Sequence, residues 1–287
     1  MAFVTSASVS ELAIDLLSAE LTLTQTVLQV PSSDVAPPSG GTTILRVPVP
    51  RTARIQARGG PLTYTEIDED EVEFDVEHVY DAATVNEHQR TLDIVNFGRQ
   101  VTRPQVRAVA SGAESQLADV MNDLAVDRLI PLDGTGLDNE VANAVADLDE
   151  AENPMDDRWL AVSPQFAARL TSPDGASLTD YQGEVATEAL RRGILGEYRG
   201  MIVVKNPRLT GFKALAYHES AFAFANLTPA DIPGTIDSAT MVEEGIGIRH
   251  VFRVSADLET QSVLSTYAGA ALVDIDRVVV LGQPTGS

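Results

Sequence analysis

Residues 104–129, "PQVRAVASGAESQLADVMNDLAVDRL", predict one long helix. The opening proline suits a first helical position, because the N–H that it lacks would have no partner there. Apolar residues then recur at the spacing of one helical face. They are Val106, Val109, Ala113, Leu117, Val120, Met121 and Leu124. Roughly 26 residues at about 1.5 Å each give a rod of about 39 Å. We therefore expect a rod helix that ends near Leu129.

Charged residues flank the two edges of this apolar face. Arg103 and Arg107 lie along one edge near the start, and Asp119, Asp123 and Asp127 lie along the other edge near the end. Carboxylates at the C-terminal end of a helix oppose its dipole, so the helix itself does not explain them. These acids indicate a positive partner outside the helix.

Upstream of the rod, residues 65–81, "TEIDEDEVEFDVEHVYD", carry nine carboxylates and no lysine or arginine. Acids alternate from Glu71 to Glu77 with Val72, Phe74, Val76 and His78. Such alternation predicts a strand with one buried and one polar face. We call the polar face the acidic ladder: Glu71, Glu73, Asp75 and Glu77. A metal site, a solvated face and a surface for a positive partner are the three interpretations open to it.

A stretch of opposite charge precedes the ladder. Residues 35–65 contain no acid and four arginines: Arg46, Arg51, Arg54 and Arg58. "TTILRVPVPR" (42–51) reads as a strand, and "ARGGPLTYTEI" (57–67) contains a turn that brings the chain back. The result is a two-stranded arm, which needs a surface to lie on because an isolated hairpin is marginal. Blocks of opposite sign favour one molecule's basic arm on another's acidic surface. Pairing within the same subunit is the plain alternative.

The remaining segments mix helices and strands. "LDNEVANAVADLDEAE" (137–152) predicts a short helix, and a strand from Trp159 to Val162 turns into a helix at Ser163, an N-cap followed by proline. Met201 to Val204 is a buried strand, and the chain ends in strands that run to Leu281. The predicted class is α+β.

Composition excludes several classes of protein. The chain has 42 acidic and 20 basic residues, a net charge of −22, and 44% hydrophobic residues, as in a globular protein. No apolar run is long enough for a membrane helix, and no positive segment precedes the first apolar stretch, so we expect no signal peptide. Without cysteine, disulfides and thiolate metal sites are excluded. The only lysines are Lys205 and Lys213.

Known catalytic and cofactor motifs are missing from the sequence. The four histidines do not pair at helical spacing, and there is no nucleophile elbow, phosphate-binding loop or dinucleotide fingerprint. The acidic strand also lacks the spacing of a calcium loop. We therefore expect no catalytic site, cofactor or metal. An acidic, cation-dependent enzyme stays as a remote alternative, which would require a convergent cluster of side chains.

The order of the segments resembles the major capsid protein of tailed bacteriophages, with the Hong Kong 97-like fold, in the branch found in phages of actinobacteria. "ELAIDLLSAEL" (11–21) is similar to the helix of the N-terminal arm, and "GGTTILRVPVPR" (40–51) to the start of the extended loop. "NEHQRTLDIVNFGRQVTRPQVRAVA" (86–110) resembles the start of the spine helix. "NPMDDRWLAVSPQFAARL" (153–170) and "LRRGILGEYRGMIVVKNPRL" (190–209) resemble parts of the axial domain.

This resemblance implies five segments. Residues 1–40 would be the N-terminal arm and 41–66 the extended loop, a β-hairpin. Residues 67–130 would form the peripheral domain with the spine helix, 131–234 the axial domain, and 235–287 the return strands of the peripheral domain.

The resemblance also implies a function. Such a subunit assembles with itself into head-to-tail hexamers and pentamers. They form the icosahedral head shell of a virion that encloses double-stranded DNA without sequence-specific binding, assembled in the bacterial cytoplasm. A separate scaffolding protein and a portal are the implied partners, and some members carry a decoration protein. An encapsulin-like cellular nanocompartment, which has the same fold, is the alternative.

In this family the extended loop lies across the neighbouring subunit, which gives the two charge blocks a joint role. The predicted contact residues between subunits are Arg46, Arg51, Arg54, Arg58, Glu71, Glu73, Asp75, Glu77, Asp119, Asp123 and Asp127. Some members also join subunits covalently through a lysine of this loop. The loop here has no lysine, so we expect a shell without covalent crosslinks.

Overall fold

The computed structural model describes residues 5–30, 42–48, 69–85, 97–131, 136–171, 193–230, 237–243, 246–254 and 259–283. Helices α1–α4 are Ser6–Glu20, Arg103–Asp123, Leu137–Glu150 and Pro164–Leu170. Strands β1–β14 are Leu28–Val30, Thr42–Pro48, Glu69–Asp75, Glu77–Val85, Arg128–Leu129, Arg158–Val162, Ile194–Tyr198, Met201–Lys205, Lys213–His218, Phe222–Leu227, Asp237–Glu243, Ile246–Val254, Thr260–Leu272 and Val278–Gly282. The mixture confirms the α+β class. Over these ranges, no helix is both long and apolar enough to cross a lipid bilayer.

The predicted rod is helix α2, and its apolar face is buried as the spacing indicated. Val106, Val109 and Leu117 have no exposed surface. Pro104 lies in the first turn of α2. A π-helical turn, Gly98–Thr102, leads into α2. The rod therefore contributes its apolar face to the main core, beside the N-terminal helix.

Helix α2 is shorter than predicted. It ends at Asp123, Leu124 has an extended conformation, and Arg128–Leu129 form strand β5, so the expected continuation of the helix to Leu129 is wrong. Lys213, on strand β9, stabilises this end by donating to the last carbonyl oxygens of the helix. This contact comes from a distant part of the chain and leaves no local signal in the sequence.

The first sheet has the order β1-β10-β13-β12-β11, with β4 on the other edge of β13. Helices α1 and α2 cover one face. The opposite face carries the base of the β2–β3 hairpin, whose Leu45 and Phe74 pack against Ala223, Ala225 and Ala271. The base of the predicted arm thus lies on its own subunit.

The second sheet has the order β5-β14-β9-β6-β8-β7. Helices α3 and α4 contribute Val141, Leu148 and Phe166 to the core on one face. The other face adds Leu215 and Tyr217 to the core around α2. Strand β14, with the sequence "VVVLG", is buried at every position because both faces of the sheet are covered.

The two sheets exchange strands across the predicted domain ranges. Strand β10 falls in the range 131–234 predicted for the axial domain, but it pairs with β13 in the first sheet. Strand β14 falls in the range 235–287 predicted for the return strands, but it pairs with β9 in the second sheet. The domain division stays a prediction, and the pairing of strands does not follow it at these two places.

The acidic segment forms two strands rather than the one predicted. Strand β3 pairs with β2, and strand β4 pairs with β13. Phe74 and Val76 are buried and Val72 is half-buried, because the hairpin rests on the first sheet there. Beyond Val76 the hairpin no longer covers this side, and α2 covers the other, so Val79 packs inward and His78 is exposed. The prediction that His78 lies on the buried face is therefore wrong.

The passage from β3 to β4 requires a glycine on the neighbouring strand. A Cβ on Gly269 would lie 2.4 Å from the carbonyl oxygen of Asp75 and 3.2 Å from the Cα of Val76. No side chain fits at that distance. Gly269 therefore allows the acidic segment to leave the hairpin and join the edge of β13.

The N-terminal helix α1 is docked on the first sheet. It buries Ala13, Ile14 and Leu17 in the main core. Its first backbone N–H, on Ser6, donates to the carboxylate of Asp237 at 2.6 Å, a favourable position for an acid at a helix start. After the helix, β1 pairs in parallel with β10. Residues 5–30 are therefore part of the subunit's own core.

Candidate subunit-contact surface

The acidic ladder lies on the outer face of the β2–β3 hairpin, with one strand of the basic arm directly opposite. Arg46 stands opposite Glu71, Ile44 opposite Glu73, and Thr42 opposite Asp75. These side chains share the outer face, because directly opposed residues in an antiparallel pair point the same way. Three of the four ladder carboxylates are therefore gathered on one exposed surface.

Arg46 already has an acid beside it in its own subunit. Its guanidinium lies 3.4 Å from the carboxylate of Glu71, and the two side chains are 67% and 53% exposed. Thr42 donates to Asp75 at 2.9 Å. An exposed ion pair of this kind contributes about 0–1 kcal/mol, so both partners stay available for a neighbouring molecule. Arg51, Arg54 and Arg58 lie outside the described residues.

Glu77 departs from the other three ladder acids. It begins strand β4, after the change of covered face, and accepts a hydrogen bond from Gln116 of helix α2 at 3.0 Å. On the opposite side of β4, His78 stacks on Tyr80, with ring centres 5.2 Å apart, and contacts Tyr267. Burial lowers the pKa of His78, and the nearby Arg249 lowers it further. The exposed row of ladder carboxylates on the hairpin therefore ends at Asp75.

The acids at the end of α2 have a positive partner, and it lies within the same chain. Asp119 and Asp123 are exposed on the last turns of the helix. The ammonium of Lys213 donates to the carbonyl oxygens of Met121, Asn122 and Leu124 at 2.9, 2.7 and 2.8 Å, which satisfies three of the groups that every helix leaves unpaired at its end.

The charge of Lys213 depends on those acids. Burial lowers the pKa of its ammonium, and the carboxylates of Asp123 and Asp127 act in the opposite direction. Asp127 lies beyond the helix and accepts a hydrogen bond from the backbone N–H of Val280 at 2.8 Å. The buried ammonium of Lys213 thus provides, within the same chain, a positive charge near two of the acids that the sequence assigned to another molecule.

A buried carboxylate that sequence analysis missed joins three parts of the fold. Glu114 of α2 is 1% exposed. It accepts hydrogen bonds from the backbone N–H groups of Thr22 and Leu23, at the end of the N-terminal helix. It also accepts from Asn206 at 3.3 Å and from Arg208 at 2.5 Å, in the loop after β8. Its place on the apolar edge of a helix was the available signal, since a glutamate there needs partners to be buried.

The sequence also contains no indication that His250 has a structural role in the core. It is fully buried on β12, and its Nε2 lies 2.8 Å from the hydroxyl of Ser262. That hydroxyl donates to Gln105 of α2 at 3.0 Å. Burial lowers the pKa of His250 to about 4, and the carboxylate of Asp237 opposes the shift. The imidazole is therefore neutral at pH 7 and acts as a polar link between the sheet and α2.

In the ranges that the structure describes, no group of three or more histidine and carboxylate side chains is placed to hold a metal ion. The acidic ladder is a row of side chains along a strand and does not converge on one point. Its arrangement suits contact with an extended positive segment better than coordination of a cation.

Comparison with solved structures identifies the fold. A structure of Mycobacterium phage Che8 is 21% identical to this chain, with a TM-score of 0.57 over 87% of this chain and 86% of that one. The capsid of Ralstonia phage GP4 is 12% identical, with a TM-score of 0.59 over 91% and 89% of the two chains. The predicted Hong Kong 97-like capsid fold is confirmed, and it spans nearly the whole chain.

An encapsulin has the same fold. The encapsulin complex of Synechococcus elongatus is 13% identical, with a TM-score of 0.54 over 91% of this chain and 86% of that one. No family model and no curated protein sequence matches the chain. The likeness is therefore carried by the three-dimensional structure.

Proposed function

We propose that this chain is the major capsid protein of a tailed double-stranded DNA bacteriophage, which self-assembles into the icosahedral head shell and encloses the genome. The observation that carries the proposal is the fold, which matches phage capsid chains over most of their length and of this chain. The protein is a structural subunit and not an enzyme. Its place is the virion, after assembly in the bacterial cytoplasm.

The charge of the chain fits such a container. Phosphate groups dominate the binding of proteins to DNA, and lysine and arginine side chains neutralise them. A subunit with a net charge of −22 does not attract DNA, so a packed genome stays free to leave. Mutual repulsion between subunits must then be offset by apolar burial and by local contacts between opposite charges.

The contacts proposed between subunits join the basic arm to acids of the next subunit in the ring. Arg51, Arg54 and Arg58 supply the positive charge, together with Arg46. The acids proposed on the other side are Glu71, Glu73, Asp75, Glu77, Asp119, Asp123 and Asp127. The exposed row on the hairpin supports this proposal. Support is weaker for Glu77, Asp123 and Asp127, because these three acids have partners in their own chain. A scaffolding protein, a portal and a decoration protein are proposed further partners.

The proposed architecture has an N-terminal arm at 1–40, an extended loop at 41–66, a peripheral domain at 67–130 and 235–287, and an axial domain at 131–234. The shell is proposed to hold without covalent crosslinks. Lys213 supports this, because its ammonium is buried and bound to three carbonyl oxygens. A buried, bonded lysine is not free to react with an asparagine of another subunit.

An encapsulin-like nanocompartment is the second candidate, favoured by the encapsulin match. Electron microscopy of particles from the purified protein and from infected or expressing cells tests both. Closed icosahedral shells that contain DNA support the capsid, and shells that contain a cargo enzyme support the nanocompartment. A protein that stays monomeric in every preparation, including one with its companion head proteins, contradicts both.

A further inference from the structure

Three surface loops meet at one end of the second sheet, where β6 begins, β9 ends and β14 begins. We call them the platform: residues 151–157, 219–221 and 274–277. The side chain of Asn153 donates to the carbonyl oxygen of Asp276 at 2.9 Å, and the N–H of Glu219 donates to the carbonyl oxygen of Asp157 at 3.0 Å. Each loop is thus bonded to another, and the three form one unit.

Buried Arg158 fixes the longest of these loops, residues 151–157, by hydrogen bonds to its backbone. The residue is 5% exposed and donates to the carbonyl oxygens of Pro154 and Asn153 at 2.6 and 2.8 Å. Glu152 and Asp157 have positive φ angles of 56° and 48°, a backbone conformation that residues other than glycine rarely adopt. Such a conformation persists only where neighbouring contacts fix it. The loop therefore has a fixed shape.

The fixed loop presents apolar side chains to solvent. Met155 is 78% exposed, the highest value among the large apolar residues that the structure describes, and Ile275 in the adjoining loop is 56% exposed. Exposed acids lie beside them: Glu152, Asp156, Asp157 and Asp276. An apolar patch with a charged rim is typical of a protein–protein interface. Its rigidity lowers the entropy lost on binding.

The charge of the rim selects the partner. A surface ringed by carboxylates repels most of this acidic chain, and the longest stretch without acids is 35–65. Beyond the hairpin, its part "VPRTARIQAR" (49–58) carries Arg51, Arg54 and Arg58 together with Val49 and Ile55. The chain between Pro48 and Glu69 has 20 residues, and a span of ten residues bridges at most roughly 33 Å.

The acidic ladder offers less to such a segment. Its outer face has carboxylates, one threonine and one half-buried isoleucine, and it already faces Arg46 of its own arm. Interfaces draw most of their affinity from a few side chains that become fully desolvated rather than from charges that stay exposed at the rim. The platform has such anchors and the ladder does not.

We propose that the platform binds the basic arm of a second copy of this chain, with Met155 and Ile275 as anchors between the apolar residues of the arm and with the acids of the rim facing its arginines. The inference rests on the proposed function, since assembly is what brings the two surfaces together. It names an acceptor surface for the arm that differs from the ladder and the spine helix, and crosslinking between introduced cysteines distinguishes these surfaces.

The chain has no cysteine, so pairs of introduced cysteines report directly on contact. One set of variants combines Met155→Cys with Arg51→Cys, Arg54→Cys or Arg58→Cys. A disulfide requires Cα atoms within roughly 4.4–6.8 Å. After mild oxidation of assembled particles, we expect disulfide-linked multiples of the 30.6 kDa chain on a non-reducing gel, which unassembled protein does not form.

Two matched sets of double-cysteine variants test where on the second molecule the arm binds. Glu73→Cys with the same arm positions tests the ladder, and Leu129→Cys, an exposed apolar residue on the edge of the same sheet, controls for random collision. Linkage at Met155 alone supports the proposal. Linkage at Glu73 instead, or at none of the sites in well-formed particles, overturns it. If no variant and no wild-type preparation forms particles by electron microscopy, the proposed function fails, and this inference fails with it.

Discussion

Arg208 donates a hydrogen bond to the buried carboxylate of Glu114 at 2.5 Å, and this pair connects the loop after β8 to the spine helix. The same carboxylate accepts hydrogen bonds from the backbone N–H groups of Thr22 and Leu23, just after the N-terminal helix. One acidic side chain thus fixes the positions of three segments that lie far apart in the sequence.

Replacing Glu114 should be among the most damaging single changes in the subunit. Glu114→Ala leaves the Arg208 guanidinium and the N–H groups of Thr22 and Leu23 without their acceptor, and a buried group left unsatisfied costs about 1–3 kcal/mol. Urea unfolding of the unassembled subunit measures the loss. Glu73→Ala, on the exposed ladder, is the matched control and should change stability by no more than about 0.5 kcal/mol. Equal effects of the two variants would contradict the structural role of Glu114.

Lys213 should stabilise the subunit as the cap of the spine helix. In Lys213→Met the apolar stem is kept, but three carbonyl oxygens lose their donor, at a cost of about 1–3 kcal/mol. Thermal unfolding followed by circular dichroism measures the difference. The exposed Lys205 provides the control, because Lys205→Met removes the same charge without a cap. A Lys213 variant as stable as the control would show that the capping bonds contribute nothing.

The buried His250 predicts a loss of stability in acid. In the unfolded chain it binds a proton near pH 6.5, but burial lowers its pKa to about 4 in the folded subunit. Between these values the unfolded state binds more protons, so stability falls as the pH decreases from 6.5 to about 4, by about 3 kcal/mol. Above pH 6.5 this residue adds no pH dependence.

Denaturant midpoints across that pH range test the prediction for His250. Carboxylates also titrate there, so the informative quantity is the difference between wild type and His250→Gln, which keeps a polar link to Ser262 but has no proton to bind. The wild type should show the steeper decline. Parallel curves for the two proteins would mean that His250 is not held neutral by burial.

The basic arm should be required for assembly and not for folding. Reversing Arg51, Arg54 and Arg58 to glutamate turns attraction into repulsion at every contact in a ring, so we expect folded subunits that form no particles. Sedimentation compares this variant with wild type. The variant with lysine at the three positions keeps the charge and should assemble. In wild type, about 1 M salt shortens the screening length to about 3 Å and should loosen the shells. Normal particles from the glutamate variant would leave the arm as a solvated loop.

Boiled particles should run as a single band. The arm contains no lysine, and the ammonium of Lys213 is buried and bonded. We therefore expect a band near 30.6 kDa on a denaturing gel. A ladder of higher multiples under reducing conditions would show that subunits are joined by a bond that does not involve a lysine of the loop.

Several elements could be predicted from the sequence because their signals are local. The apolar face of α2 follows from residue spacing, and Ser163 caps α4 by accepting the backbone N–H of Phe166, as its place before a proline indicated. The order of such segments was enough to indicate the capsid fold. The exposed and buried faces of strand β3 were also predicted, because alternation reports them directly.

The sequence by itself determined which side chains are apolar, where they recur, and where the charges are concentrated. Only the tertiary structure decided which face of each segment is covered and which charges meet. Three features depend on partners far away in the chain: the change of buried face at Val76, the cap that Lys213 forms on α2, and the hydrogen bonds that Glu114 accepts. Periodicity is a property of neighbouring residues, whereas a long-range hydrogen bond depends on how complete elements pack, and that is fixed only when the sheets and helices come together.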